Sequence, residues 1–208
     1  MVEMLVSLGI ITIITSIVLY GQQNFNRSLV LVDTSYTIAF TIRQAQSLGL
    51  SSKRFGNIQN AGYGVHFAST PGTTYTLFAD TIPSAPGNSQ GGKCAGHNIV
   101  SGLDTKPGNC VYDSSAENVT VYTLNKGFAV ASVCGVDTIG TQRCSGSYLD
   151  SLDITFLRPN TQASILGVHA GAPVELVSAT IHVVSPDGAQ ERCVQVTKVG
   201  RVAVGKCP

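Results

Sequence analysis

Six cysteines are the most reactive side chains in the sequence, and all of them lie between residues 94 and 207 of the 208-residue chain. Thiols hold metal ions or close disulfides, and an even number in a chain that leaves the cytoplasm favours disulfides. Several pairings are formally possible, but pairing of neighbours closes a short loop or hairpin each time, and each bond stabilises by about 2–4 kcal/mol. We therefore expect the disulfides Cys94–Cys110, Cys134–Cys144 and Cys193–Cys207.

A metal site is the alternative use of these thiols, since Cys94 and His97 have the spacing of two ligands. Zinc needs about four converging ligands, and the sequence contains no second pair with such a spacing. It also lacks the motifs of serine hydrolases, zinc metalloproteases and phosphate-binding loops. We therefore predict no enzyme activity, no cofactor and no metal site, with a structural or surface role for each histidine. The histidines are His66, His97, His169 and His182.

A single carboxylate stands in an otherwise apolar N-terminal stretch. Residues 1–20 read MVEMLVSLGIITIITSIVLY, and Glu3 is their only charge. The part from residue 4 to 20 has no proline and, at the rise of a helix, spans roughly 25 Å, near the short limit for crossing a bilayer. An acid where basic residues belong, with no small-residue cleavage site afterwards, argues against a cleaved secretory signal. We expect the stretch to remain attached and to lie first in a membrane.

The run Val2-Glu3-Met4-Leu5-Val6-Ser7-Leu8 resembles the start of type IV pilins and of the pseudopilins of type II secretion. Mature chains of that family commonly begin F-T-L-V-E-M-L-V, with the acid four residues after the processed N-terminus. Glu3 lies two residues after Met1. We therefore expect two further residues and a cleaved leader before Met1, with the methylated N-terminal residue of the family among them.

The resemblance implies a structural subunit of a helical filament, assembled from identical chains by pilus or secretion machinery. The precursor would lie in the cytoplasmic membrane and the filament at the cell surface, outside the cell. Glu3 would meet the N-terminal amine of a neighbouring chain and fix the register, because a carboxylate in lipid is costly and usually has a partner. The expected assembly residues are Glu3, Met4, Leu5, Leu8, Ile11, Ile14 and Val18.

Two other roles stay open: a minor pilin or pseudopilin of a secretion or DNA-uptake machine, and a membrane-anchored binding head. Some minor pilins bind DNA through a C-terminal Gly-Arg-x-Arg turn, whereas this chain has Ala203 in place of the second arginine. A small basic group remains that could contact phosphates, namely Lys198, Arg201 and Lys206. The net charge is only +1, so nucleic acid is not expected as the main partner.

The elements that must carry these residues are one long helix and a β-rich head. Apolar residues continue at helical spacing after residue 20, and no proline interrupts the first 70 residues, which predicts one helix over residues 1–50. Its apolar half is 1–20 and its amphipathic half is 21–50. Residues 51–208 form the disulfide-stapled head. The predicted fold class is α+β, with the long N-terminal helix packed against a C-terminal antiparallel β-rich head.

Alternating apolar residues predict the strands of the head, and 63–67 with 73–80 form a hairpin that is also similar to the first hairpin of H-type pseudopilin heads. Residues 81–117 read as a long irregular loop. A two-residue turn at Gly200-Arg201 would leave Cys193 and Cys207 one residue out of register, so their disulfide predicts a three-residue loop or a bulge there. The further predicted strands are 119–124, 127–134, 152–157, 176–184, 193–199 and 202–204.

Overall fold

A computed structural model describes residues 2–51, 53–68, 71–82, 107–124 and 126–207 of the chain. Helix α1 (Val2–Leu50) runs unbroken for 49 residues, which corresponds to roughly 74 Å at the helical rise. Ten strands follow within the described residues, so the fold class is α+β, as predicted. They are β1 (Gly62–Ala68), β2 (Thr74–Asp80), β3 (Asn118–Thr123), β4 (Ala129–Asp137), β5 (Gln142–Cys144), β6 (Ser151–Phe156), β7 (Ala163–His169), β8 (Ala172–Val184), β9 (Glu191–Thr197) and β10 (Val202–Gly205).

All strand pairs are antiparallel, in the order β10-β9-β8-β7-β6-β1-β2-β3, with β4 paired to both β8 and β5. The length of β8 explains this branch, because its first residues pair with β7 and its later ones with β4. A bridge between Gly72 and Val130 then brings β4 against the start of β2, so the sheet curls. The predicted hairpin of β1 and β2 is present.

The second half of α1 packs against the sheet, mainly on β1, β6, β9 and β10. One helical stripe is buried, as its spacing predicted, and it forms one core with the inward side chains of the strands. The buried stripe includes Leu31, Ile38, Ile42 and Ala45. Near the end of the helix, Gly49 approaches the sheet so closely that a Cβ atom would lie only 2.2 Å from the backbone oxygen of Phe156.

Two strands, β5 and β7, were not predicted. Strand β7 lies between β6 and β8 in the sheet, and it contains Gly167, which weakens the sequence signal of a strand. A Cβ atom at Gly167 would lie 2.5 Å from Leu149 Cδ2, so this glycine makes room for a core side chain. The long strand β8 also begins four residues before the predicted start at residue 176.

Two of the expected disulfides lie within the described residues, and both are formed. Cys134 and Cys144 face each other across β4 and β5, with their Cα atoms 4.0 Å apart. Cys193 and Cys207 are also bonded, with their Cα atoms 4.9 Å apart. For the expected pair of Cys94 with Cys110, Cys94 lies outside the described residues, and Cys110 is disulfide-bonded.

The last hairpin has the predicted three-residue loop, but its register differs from the expected one. The N–H of Thr197 donates to the carbonyl of Arg201, and the loop between them ends at Gly200, whose φ of 82° suits glycine. Because this loop begins earlier than expected, Cys193 lies opposite Gly205 rather than Cys207. The disulfide therefore joins β9 to the segment that follows β10.

Candidate functional site

More than half of the exposed large apolar residues that the structure describes lie in the first part of α1. Its segment Val2–Leu19 has a mean hydropathy of 2.3, and none of it is buried against the head. By length and composition, this segment could anchor the chain in a membrane. All six apolar residues expected to act in assembly lie here and are exposed, namely Met4, Leu5, Leu8, Ile11, Ile14 and Val18.

Apolar side chains surround this segment on all sides. At about 100° per residue, five of the six expected assembly residues, all except Leu5, lie within an arc of roughly 120°. The rest of the circumference is also apolar, because it carries further exposed aliphatic residues, including Val6, Ile10, Ile13 and Ile17. A helix that is apolar all round needs an apolar environment on every side, and a single partner on one face would not provide it.

The hydroxyl groups of this segment are satisfied inside the helix. Each donates a hydrogen bond to a backbone carbonyl three or four residues earlier, at donor–acceptor distances of 2.7–2.9 Å. Such bonds remove the cost of placing a hydroxyl in an apolar environment. The four residues are Ser7, Thr12, Thr15 and Ser16.

Glu3 is the exception on this surface. It lies in the first turn of α1, where the partial positive charge of the helix N-terminus favours an acid. Among the residues that the structure describes, none forms an ion pair with Glu3. The carboxylate is therefore exposed at the end of an apolar rod, which is what a partner from outside the chain would require.

A second exposed apolar area continues along α1 beside the edge strand β10. Tyr36 and Phe40 project from the helix, and with Arg43 and Val202–Val204 they line a groove of about 490 Å³. The guanidinium of Arg43 donates to the carbonyl oxygen of Val202 at 3.3 Å and so ties the two walls together. The sequence showed the apolar pattern of this helix, but not that β10 would lie beside it.

The basic residues of the last hairpin are not gathered into one patch. The ammonium of Lys198 lies 2.6 Å from the carboxylate of Glu175, which neutralises its charge. Arg201 and Lys206 are exposed, but they flank the two ends of β10 and are separated by roughly 17 Å of strand. Phosphate contacts at this hairpin would therefore come from two separated cations.

Buried carboxylates that the sequence did not reveal hold the segment 107–117 onto the head. Asp80 is fully buried and accepts hydrogen bonds from the backbone N–H groups of Asn109 and Cys110. Glu117 is also buried and accepts from the N–H groups of Thr81 and Ile82. Burial raises the pKa of Asp80 well above its usual range, even though both N–H groups favour the charged form. These acids act as structural clamps.

A scan against protein-family models, a search of curated proteins and a search of solved structures returned no match for this chain. Its class therefore rests on its fold and surface: an α+β chain in which one continuous helix has an exposed apolar first half and packs its second half against an antiparallel β head. That architecture is compatible with a pilin-like protein.

Proposed function

We propose that the chain is a structural subunit of a type IV pilus-like filament, built by packing of its N-terminal helices. The observation that carries the proposal is the segment Val2–Leu19, which is apolar on all sides and entirely exposed on a helix whose second half packs one stripe against the head. A bilayer would surround this segment before assembly. The corresponding helices of identical neighbours would surround it in the filament.

The proposed transfer from lipid to filament gains little from the apolar side chains, because both environments are apolar. Glu3 makes the filament more favourable than the membrane for this helix. A charged side chain in the middle of a membrane helix costs about 2.5–3.5 kcal/mol, and somewhat less near the end where Glu3 lies. An N-terminal amine of a neighbouring subunit would relieve that cost and would also fix the axial register, which is the best supported use of a buried ion pair.

The proposed function also implies where the chain is located and which partners it has. The precursor lies in the cytoplasmic membrane, assembly machinery extracts it, and the filament stands at the cell surface. A minor pilin or a pseudopilin of a secretion or DNA-uptake machine would use the same helix and differ in abundance. The ion pair of Lys198 with Glu175 leaves the hairpin poorly charged for DNA, which favours the structural role.

Replacement of Glu3 by Ala tests the mechanism in cells that carry the assembly machinery. The variant should reach the membrane fraction in wild-type amount but give few sheared filaments on electron micrographs. Asp33→Ala, which removes another exposed carboxylate from the same helix, is the matched control and should assemble normally. Wild-type filament yield from Glu3→Ala would overturn the proposal.

The abundance of the chain in sheared filaments separates the two structural roles. Mass spectrometry of the main protein band should identify this chain if it forms the filament shaft. A trace amount among other subunits would instead indicate a minor or tip subunit.

A further inference from the structure

Four potential metal ligands meet on one face of the sheet. His182 on β8 lies directly opposite Cys193 on β9, and Glu191 lies two residues earlier on the same strand, so its side chain emerges on the same face. Cys207 reaches Cys193 from the segment after β10. One nitrogen, one oxygen and two sulfur atoms all lie within 4.8 Å of one another.

One distance within this group already fits a zinc site, and two others are shortened by a hydrogen bond and by the disulfide. Zinc bonds of about 2.0–2.3 Å give a tetrahedron with edges of roughly 3.3–3.8 Å. His182 Nδ1 already lies 3.4 Å from Cys193 Sγ, which fits such an edge. The same nitrogen is hydrogen-bonded to Glu191 Oε1 at 2.5 Å, with one proton between the two atoms. An ion that replaces this proton would widen that edge.

We infer that His182, Glu191, Cys193 and Cys207 bind one zinc ion when the two cysteines are reduced. The disulfide and the metal are then alternative ways to hold the C-terminal segment on β9. This inference does not depend on filament assembly. Two sulfur donors with one imidazole and one carboxylate suit zinc and do not suit calcium or magnesium, which prefer oxygen ligands.

A dithiol can reduce the disulfide and so free the two sulfur ligands. The S–S bond of Cys193 and Cys207 breaks, two electrons come from the dithiol, which becomes a disulfide, and each cysteine gains a proton. Binding of the ion then releases both thiol protons, and His182 ligates as a neutral imidazole whose single ring proton has moved from Nδ1 to Nε2. Oxidation of the two thiolates reverses the process and expels the ion. Newly made chains, whose cysteines have not yet been oxidised, contain the dithiol without any reductant.

The surroundings of the group allow an ion to enter, because only Cys193 of the four ligands is buried. Cys193 is fully buried, whereas the side chain of His182 is 19% exposed and that of Glu191 is 42% exposed. An ion would therefore arrive past the carboxylate. The strand pairing that places His182 opposite Cys193 involves only backbone hydrogen bonds, so reduction alone does not remove it.

The test uses the full-length chain in detergent micelles, reduced with a dithiol and then freed of it without oxygen. Zinc bound per chain is measured by competition with a chromogenic chelator, and Co²⁺ serves as a spectroscopic probe of tetrahedral coordination with sulfur. We expect about one equivalent of tight binding in the reduced protein and none in the oxidised protein. His182→Ala and Glu191→Gln should each weaken binding at least about tenfold, since even changes beyond the ligands cost that much.

Two matched controls identify the site. The double variant Cys134→Ser and Cys144→Ser removes another disulfide and should keep the binding, whereas Cys193→Ser with Cys207→Ser should abolish it and the sulfur bands of bound Co²⁺. His169→Ala, at another half-buried histidine, should have no effect. Equal losses from His182→Ala and His169→Ala would show unspecific binding by a loosened chain and would overturn the inference. So would the absence of binding in the reduced wild type.

Discussion

The guanidinium of Arg27 lies 2.6 Å from the carboxylate of Asp187, and this ion pair joins α1 to the turn between β8 and β9. The two residues are 160 positions apart in the chain. Every described helix side chain before Arg27 is exposed, whereas burial of the helix begins with Leu31. The ion pair therefore marks the point at which the helix leaves the head.

Removal of either partner of this ion pair should loosen the helix at its exit from the head without unfolding the head. Both side chains are about two-fifths exposed, so solvent screens the pair, and we expect a small coupling that decreases as salt is added. A double-mutant cycle of Arg27→Ala and Asp187→Ala measures it from denaturant unfolding, followed by tyrosine fluorescence because the chain has no tryptophan. Additive effects of the two changes at low salt would contradict the prediction.

Addition of one methyl group at Gly49 should destabilise the protein more than the loss of that ion pair. The new Cβ atom would lie 2.2 Å from the backbone oxygen of Phe156, so helix and strand must move apart, at a cost of about 1–3 kcal/mol. Gly9→Ala is the matched control, since nothing lies within 4 Å of its Cβ position. Alanine there should be neutral or favour the helix by up to about 1 kcal/mol. A lower midpoint of denaturant unfolding for Gly9→Ala than for Gly49→Ala would refute this account.

Periodicity predicted most of the fold because one face of each regular element is buried. The stripe through Ile38 and Ile42 revealed the helix, and alternation revealed β1 and β2. Strand β7 was not predicted because Gly167 interrupts its alternating pattern. Only the packing of Leu149 against Gly167 shows why a glycine occupies that position. Local sequence does not carry such a contact between distant residues.

The segment Val2–Leu19 was also predictable, since its length and its uninterrupted apolar composition are read directly from the sequence. The buried carboxylate clamps and the four potential metal ligands of the head were not predictable. Asp80 and Asn109 are 29 positions apart in the chain, and His182 meets Cys193 only in one register of β8 and β9. A shift of one residue would turn the imidazole to the other face.

Mild acid should stabilise the head. Burial raises the pKa of Asp80, Asp113 and Asp153 above the usual value. Since these groups bind protons more tightly in the native state, the free energy of unfolding decreases as the pH rises from the unfolded value of about 3.9 through the native pKa. The hydrogen bond from the Ser185 hydroxyl lowers the pKa of Asp187, and that contribution is lost only below about pH 3.9.

Unfolding at a series of pH values measures this effect. The wild type should be more stable near pH 5 than at pH 7, and Asp80→Asn should reduce the slope because its side chain does not titrate in this range. In either orientation of its amide, Asn places its NH₂ group against one of the two backbone N–H donors, so a general loss of stability is expected alongside. The exposed Asp150→Asn is the control. A slope that is equal in Asp80→Asn and the wild type would contradict the role of Asp80.

A charge on the helix face beside β10 should impair filament assembly and spare the fold. Phe40 is 68% exposed at the groove next to Val202–Val204, and it continues the apolar surface of the helix beyond the membrane-compatible segment. We extend the proposed contact between subunits to this part of the helix, so Phe40→Glu would place a carboxylate in that contact, where its desolvation opposes packing. Ile139→Glu, at an 81% exposed apolar residue between β4 and β5, is the control and should assemble as the wild type does. Equal yields of sheared filaments from the two variants, both folded by circular dichroism, would restrict the assembly surface to the first half of the helix.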